Sequence, residues 1–123
     1  MILCDTNILI NFFANRPDTI ESMKTIGTEN VLLSAITVAE LYQGMSNKKE
    51  LQKMRKNIKF YDIIHIDTLI SDKMTTLIHD YKLSHGLTIP DALIAATALV
   101  YKIPLFTYNT RDFIFIPGII LYE

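Results

Sequence analysis

Hydrophobic and polar positions fall along this chain in short blocks that lay out its elements. It opens on MILC, turns polar at DTN, and becomes apolar again at ILINFF. A buried strand over 1–4 that ends at Asp5, then a short helix over 8–13, is the simplest reading, with Asn15, Arg16 and Pro17 as the turn that stops it. The spacing predicts a helix over 18–26, with Asp18 and Glu21 at capping-box spacing, then a strand over 31–34 and helices over 37–45 and 48–59. A third strand is expected at 63–66. Beyond it Leu69, Ile70, Met74, Leu77, Ile78 and Tyr81 recur near helical spacing, the core stripe of a long helix over 68–85. Residues 90–101 are apolar on nearly every side, which predicts a helix sandwiched between other elements. Strands at 105–107 and 119–122 complete the set.

Short apolar strands alternating with helices imply an α/β fold, a parallel sheet covered on both faces. In such sheets the ligand crevice lies outside the carboxyl ends of the strands. The chain has 123 residues, half of them hydrophobic and one fifth charged, which suits one domain over 1–123 with one core. There is no repeat, linker or low-complexity segment. No apolar run reaches the roughly 18 residues a membrane span needs, so no membrane partner is expected. The N-terminus lacks the basic start and small-residue cleavage site of a signal peptide. Cys4 is the only cysteine, so no internal disulfide is possible and a reducing cytoplasm is the expected location. Set in an apolar strand beside an anion, Cys4 is expected to be a small core residue rather than a nucleophile.

Net charge is −1 and by itself does not suggest a nucleic-acid partner. Its distribution is less neutral. Residues 48–59, KKELQKMRKNIK, hold six of the twelve cations (Lys48, Lys49, Lys53, Arg55, Lys56 and Lys59), leaving six cations against twelve acids elsewhere. This is either a solvated helix face or a surface that meets phosphate.

Four carboxylates occupy related places. Asp5 directly follows the first strand. Glu40 stands three residues after Thr37 in TVAE, Asp91 three after Thr88 in TIPD, and Asp112 three after Asn109 in NTRD. Each of the last three fits a capping signature, and Asp5 fits an N-cap. Helices that follow parallel strands begin at the carboxyl edge of the sheet, so Asp5, Glu40 and Asp112 should face one crevice. Asp91 joins them if its helix runs down the sheet and returns as the fourth strand. Four converging carboxylates repel one another, and a hard cation such as Mg²⁺ or Mn²⁺ is what an all-oxygen site suits. His65, His79 and His85 lack zinc-ligand spacing and are expected at the surface. Asp67 also follows a strand, and belongs to the crevice only if that strand is central; the edge of the sheet is its expected place.

With these residues in view the chain resembles a PIN domain, specifically the VapC-type toxins of bacterial and archaeal toxin–antitoxin modules. CDTNILI, TVAELYQG, TIPDALIAATAL and LFTYNTRDF carry the resemblance, in the family's order and at its spacing. Asp-Thr-Asn alone would be a weak signal; the four pieces together are specific and cover essentially the whole chain. The resemblance implies a three-layer fold with a mostly parallel five-stranded sheet of order 3-2-1-4-5. It implies a Mg²⁺- or Mn²⁺-dependent endoribonuclease that hydrolyses phosphodiester bonds with metal-activated water. It further implies a homodimer and a cognate antitoxin that blocks the crevice with a basic segment. By position Asp5 and Asp91 resemble the metal ligands. Glu40 and Asp112 resemble the remaining acids, which bind a second metal or hold and activate metal-bound water. Thr6, Asn7, Thr107 and Asn109 match polar positions beside the site. The basic residues from Lys48 to Lys59, or Arg16 and Arg111, are candidates to hold flanking RNA phosphates.

Three other readings bear comparison. A haloacid-dehalogenase-type phosphatase wants a second Asp two residues after the first, where this chain has Asn7. A receiver-like signalling domain would use Asp67, but Asp5 has no acidic neighbour and IPGIILYE has no Lys. A PIN-fold interaction module that no longer cuts is the main alternative, and the presence of all four acids argues against it.

Overall fold

The computed structural model describes residues 1–123, and its first strand, β1, is the apolar opening ILC (Ile2–Cys4). Helix α1 (Thr6–Phe13) starts one residue later, with Asp5 as its N-cap. Next come α2 (Pro17–Ile26), β2 (Val31–Ser34), α3 (Ala35–Gln43), α4 (Lys48–Ile58) and β3 (Asp62–Ile64). The long α5 (Thr68–His85), α6 (Ile89–Tyr101) and the two-residue β4 (Leu105–Phe106) follow. A 3₁₀ turn spans Thr110–Asp112.

The sheet is parallel throughout, in the order β3-β2-β1-β4. Its period-two alternation sends successive side chains to opposite faces. Leu3, Ile64 and Leu105 join the core formed with α5 and α6, while Cys4, Leu33 and Phe106 join the core formed with α1 to α4. Seven consecutive residues of α6, Ala92 to Ala98, are buried, so this helix is enclosed as its composition requires. Gly86, at φ +67°, ends α5 in the left-handed conformation that glycine adopts without strain.

Several boundaries differ from the expected ones for identifiable reasons. The fifth strand is reduced to one parallel bridge between Leu105 and Leu121. The Leu105 N–H donates to the Ile120 carbonyl at 2.8 Å and the Leu105 carbonyl accepts from the Tyr122 N–H at 2.9 Å. The segment lies where a fifth strand belongs, but β4 is too short to extend a ladder. Asp18 and Glu21 do not form a capping box: α2 begins at Pro17, whose fixed φ suits the first helical position, and Arg16 at the N-cap makes no side-chain cap bond. Helix α3 begins at Ala35 rather than 37, because Ser34 caps it by accepting from the Ile36 N–H at 3.2 Å. Leu69 is 66% exposed and falls outside the α5 stripe, whose buried members are Ile70 and Leu77.

Candidate active site

The carboxyl edge of the sheet gathers the acids. Asp5 is buried. Its Oδ1 accepts the Thr6 N–H at 2.7 Å, its Oδ2 accepts the Thr107 hydroxyl at 2.8 Å, and the Asn7 amide approaches Oδ2 at 3.4 Å. The N-cap geometry that sequence suggests is therefore real, and it fixes the carboxylate at the junction of β1 and α1. Glu40 does not cap α3. It lies in the second turn, and its Oε1 accepts the Thr6 hydroxyl at 2.8 Å. Thr37, taken from sequence as a capping residue, is instead buried inside the helix with its hydroxyl 3.4 Å from that of Thr6. Asp91 sits half-buried in the first turn of α6. Asp112 is exposed on its 3₁₀ turn.

The electrostatics join these four groups. Burial raises the pKa of Asp5, and the charges of Glu40 and Asp112 raise it further against the hydrogen bonds from Thr107 and Thr6. Burial, then the charges of Asp5 and Asp112, push Asp91 up to about 6 against the lowering effect of the Thr88 side chain, with Glu40 adding to the rise. No Lys or Arg of the protein comes within ion-pair distance of these carboxylates. Desolvation and like charge both disfavour the ionised form, so the crevice is a preformed region of unbalanced negative charge.

The donor set is all oxygen, which fits a hard divalent cation. No three acidic, His or Cys side chains close on one point as a complete cage. That openness suits Mg²⁺, which keeps several waters and is usually held by one or two carboxylates together with substrate phosphate. Asp5 and Asp91 are the two of the four acids that burial holds toward the protonated form.

The neighbouring polar residues fall where expected in three of four cases. Thr6 links Asp5 to Glu40, Asn7 reaches both Asp5 and the Thr107 hydroxyl, and Thr107 grips Asp5. Asn109 contributes only its backbone N–H, which donates to the Thr107 hydroxyl at 3.0 Å. Asp67 caps α5 by accepting the Ile70 N–H at 2.9 Å, at the end of the edge strand β3. It is not among the charges that act on Asp5 or Asp91. Nor are Lys48, Lys49, Lys53, Arg55, Lys56 and Lys59, which are all exposed on or just after α4. His65, His79 and His85 are exposed. Cys4 is buried, and that burial, with Asp5 beside it, pushes its thiol up to about 12; it belongs to the core.

Two contacts have no local signature in the sequence. The Tyr108 hydroxyl bonds that of buried Thr19, and the Tyr108 N–H donates to Asn7 Oδ1 at 3.3 Å. Both close across about a hundred residues, and only the exposed aromatic inside NTRD's lead-in, LFTY, hints at them.

Fold and site together define an all-parallel α/β protein with four mutually interacting carboxylates toward the carboxyl ends of its central strands. The sequence profile of the PIN domain matches residues 2–117, and the chain belongs to the PIN-domain family. It is 32% identical over 114 residues to Ribonuclease VapC1 of Methanocaldococcus jannaschii, spanning 91% of this chain and 78% of that protein. Among solved structures it is similar to a toxin–antitoxin complex from Klebsiella pneumoniae, with a TM-score of 0.83 and 34% identity over 100% of this chain and 99% of the other. FitAcB from Neisseria gonorrhoeae matches with a TM-score of 0.79 and 27% identity over 100% and 97%. VapBC2 from Rickettsia felis, bound to a DNA fragment from its promoter, matches with 0.80 and 26% over 99% and 98%.

Proposed function

We propose that this protein is a Mg²⁺- or Mn²⁺-dependent endoribonuclease and the toxin of a toxin–antitoxin module. The observation that carries the reading is the set of four carboxylates, from four separate places in the chain, sharing one field with no cation of the protein to balance it. The relatives named above support the reaction class and the partner: one is a ribonuclease and one is a toxin–antitoxin complex.

Asp5 and Asp91 would hold the ion, and Glu40 and Asp112 would hold water or a second ion at its side. When bound, such an ion lowers the pKa of water and offsets the charge that gathers on a phosphate under attack. The protein's own part is placement. Thr107 and the Thr6 N–H fix Asp5 in one orientation, so that little reorganisation accompanies the reaction. The Thr6 hydroxyl donates to Glu40 Oε1 and so holds a carboxylate beside Asp5 that can accept a proton from attacking water. Crevice geometry suits single-stranded or looped RNA, whose strand can be splayed.

The same acidic crevice would accept an Arg from a cognate antitoxin, whose guanidinium pairs with carboxylates in two parallel bonds. The apolar side chains left exposed, among them Leu69, Leu83, Ile89 and Ile114, favour a homodimer, and a cytoplasmic setting gives access to RNA. No helix is long and apolar enough to cross a membrane.

Induction in cells followed by mapping of RNA 5′ ends tests activity and target together. New 5′ ends at defined positions are expected with the natural protein and none with Asp91→Asn. Identical end profiles from both, with antitoxin absent, would favour the non-catalytic interaction module.

A further inference from the structure

We propose that the cleft between the start of α2 and Tyr108 binds one unstacked RNA base beside the cleavage site, with guanine preferred. The proposal rests on the ribonuclease reading above and names a determinant of its specificity. The cleft encloses about 460 Å³ and is lined by Asn11, Arg16, Pro17, Asp18, Thr19 and Tyr108, a size in the range of small-ligand sites. One of its six lining residues is hydrophobic, against six of twelve in the larger groove of about 800 Å³ between α1, α2 and α4, which Phe12, Phe13 and Phe60 help to line.

Tyr108 is built as a platform. The residue is 46% exposed, yet it is held at three points: the hydroxyl on Thr19, the backbone N–H on Asn7, and the ring against Phe106 at 5.7 Å and 78°. A half-exposed ring already fixed in place loses little freedom when a base stacks on it. Arg16 is exposed and has no carboxylate within ion-pair distance, so its guanidinium is available to a phosphate. Asp18, in the first turn of α2, is exposed and equally unpaired.

The pairing of these groups points to one base. A carboxylate repels phosphate, so Asp18 serves the base and Arg16 the backbone. A carboxylate offers two acceptors side by side, and guanine alone among the four bases presents two adjacent donors, N1–H and the 2-amino group, on its Watson–Crick edge. Cleft and crevice also share a wall. Asn11 donates to the Asn7 carbonyl at 2.7 Å, and the Asn7 amide reaches Asp5, so a base on Tyr108 would flank the phosphate at Asp5.

Fluorescence anisotropy of Asp91→Asn protein in Mg²⁺, with a short labelled oligouridylate and the same strand carrying one guanine, reads binding without cleavage. The guanine strand should bind about tenfold tighter, the scale of one good base contact. Adding Tyr108→Ala should weaken it by about tenfold or more, the scale of a lost base stack, while Tyr108→Phe keeps most of the affinity. Asp18→Asn should erase the guanine preference and leave oligouridylate binding intact. Arg16→Ala should weaken both strands alike and lower the salt slope by about one. Equal binding of the two strands, or indifference to Tyr108→Ala in a protein that still melts cooperatively, overturns the subsite. If the natural protein cuts no RNA yet guanine-dependent binding persists, the nuclease reading falls and the subsite stands. Cleavage indifferent to Tyr108 and Asp18 gives the reverse.

Discussion

Thr107 illustrates how much of this site depends on a single uncharged side chain. Its hydroxyl donates to buried Asp5 at 2.8 Å and accepts the Asn109 N–H at 3.0 Å, tying the end of β4 to the end of β1. Thr107→Val keeps the shape and removes both of these bonds and the longer one from the Asn7 amide. Metal-dependent cleavage should fall about 10–100-fold, the usual cost of losing a group that orients a ligand, with a melting temperature close to that of the parent. Asp91 carries the pH dependence. Its folded-state pKa is raised to about 6 from 3.8, so ionisation opposes folding. Its contribution to stability is fully present below about pH 4 and is lost as the pH rises through about 6. Metal-free protein should therefore gain thermal stability from Asp91→Asn at pH 7.5 and not at pH 4, and Mn²⁺ should raise the melting temperature of the parent more at pH 7.5 than at pH 5. Equal shifts at both pH values would show that Asp91 neither resists ionisation nor meets the ion. Asp5 and Asp91 were legible in the sequence because each is an acid at the border of an apolar run. Tyr108 was not, because its partners Asn7 and Thr19 are distant in the chain and only folding brings them near.

The elements place these residues through their starting points. Helix α3 follows β2 with no intervening loop: Ser34 is at once the last residue of the strand and the N-cap of the helix. That economy hid the true start, because TVAE two residues on matches a capping box and local pattern cannot rank the two. The consequence matters for chemistry. Begun at Ala35, the helix carries Glu40 in its second turn, free of cap duty and turned to Thr6. Ser34→Ala should cost about 1 kcal/mol of stability, typical of a lost N-cap, read as a lower denaturant midpoint with an unchanged slope. The last strand failed in the other direction. Residues 119–122 look like a strand by composition, but a ladder needs a partner of equal length, and β4 offers two residues. The cations of α4, which the sequence leaves as either a solvated face or a surface that meets phosphate, are exposed and are not among the charges acting on Asp5 or Asp91.

At the scale of the molecule, one topological fact organises the rest. Placing β1 between β2 and β4 in a parallel sheet brings the ends of three strands and the start of α6 together, and an acid stands at or just beyond each of them. Sequence pattern gave the alternation that implies such a sheet, but the order of strands came from the family resemblance, since periodicity says which residues are buried and not which strands are neighbours. This convergence is the basis of the proposed metal-dependent ribonuclease activity. Its most direct test is cleavage of a broad RNA panel by purified protein in Mg²⁺ or Mn²⁺, alongside EDTA and Asp5→Asn. Cleavage that EDTA and Asp5→Asn each abolish is the expected result; RNA left equally intact by the natural protein and Asp5→Asn, with either metal present, would contradict it.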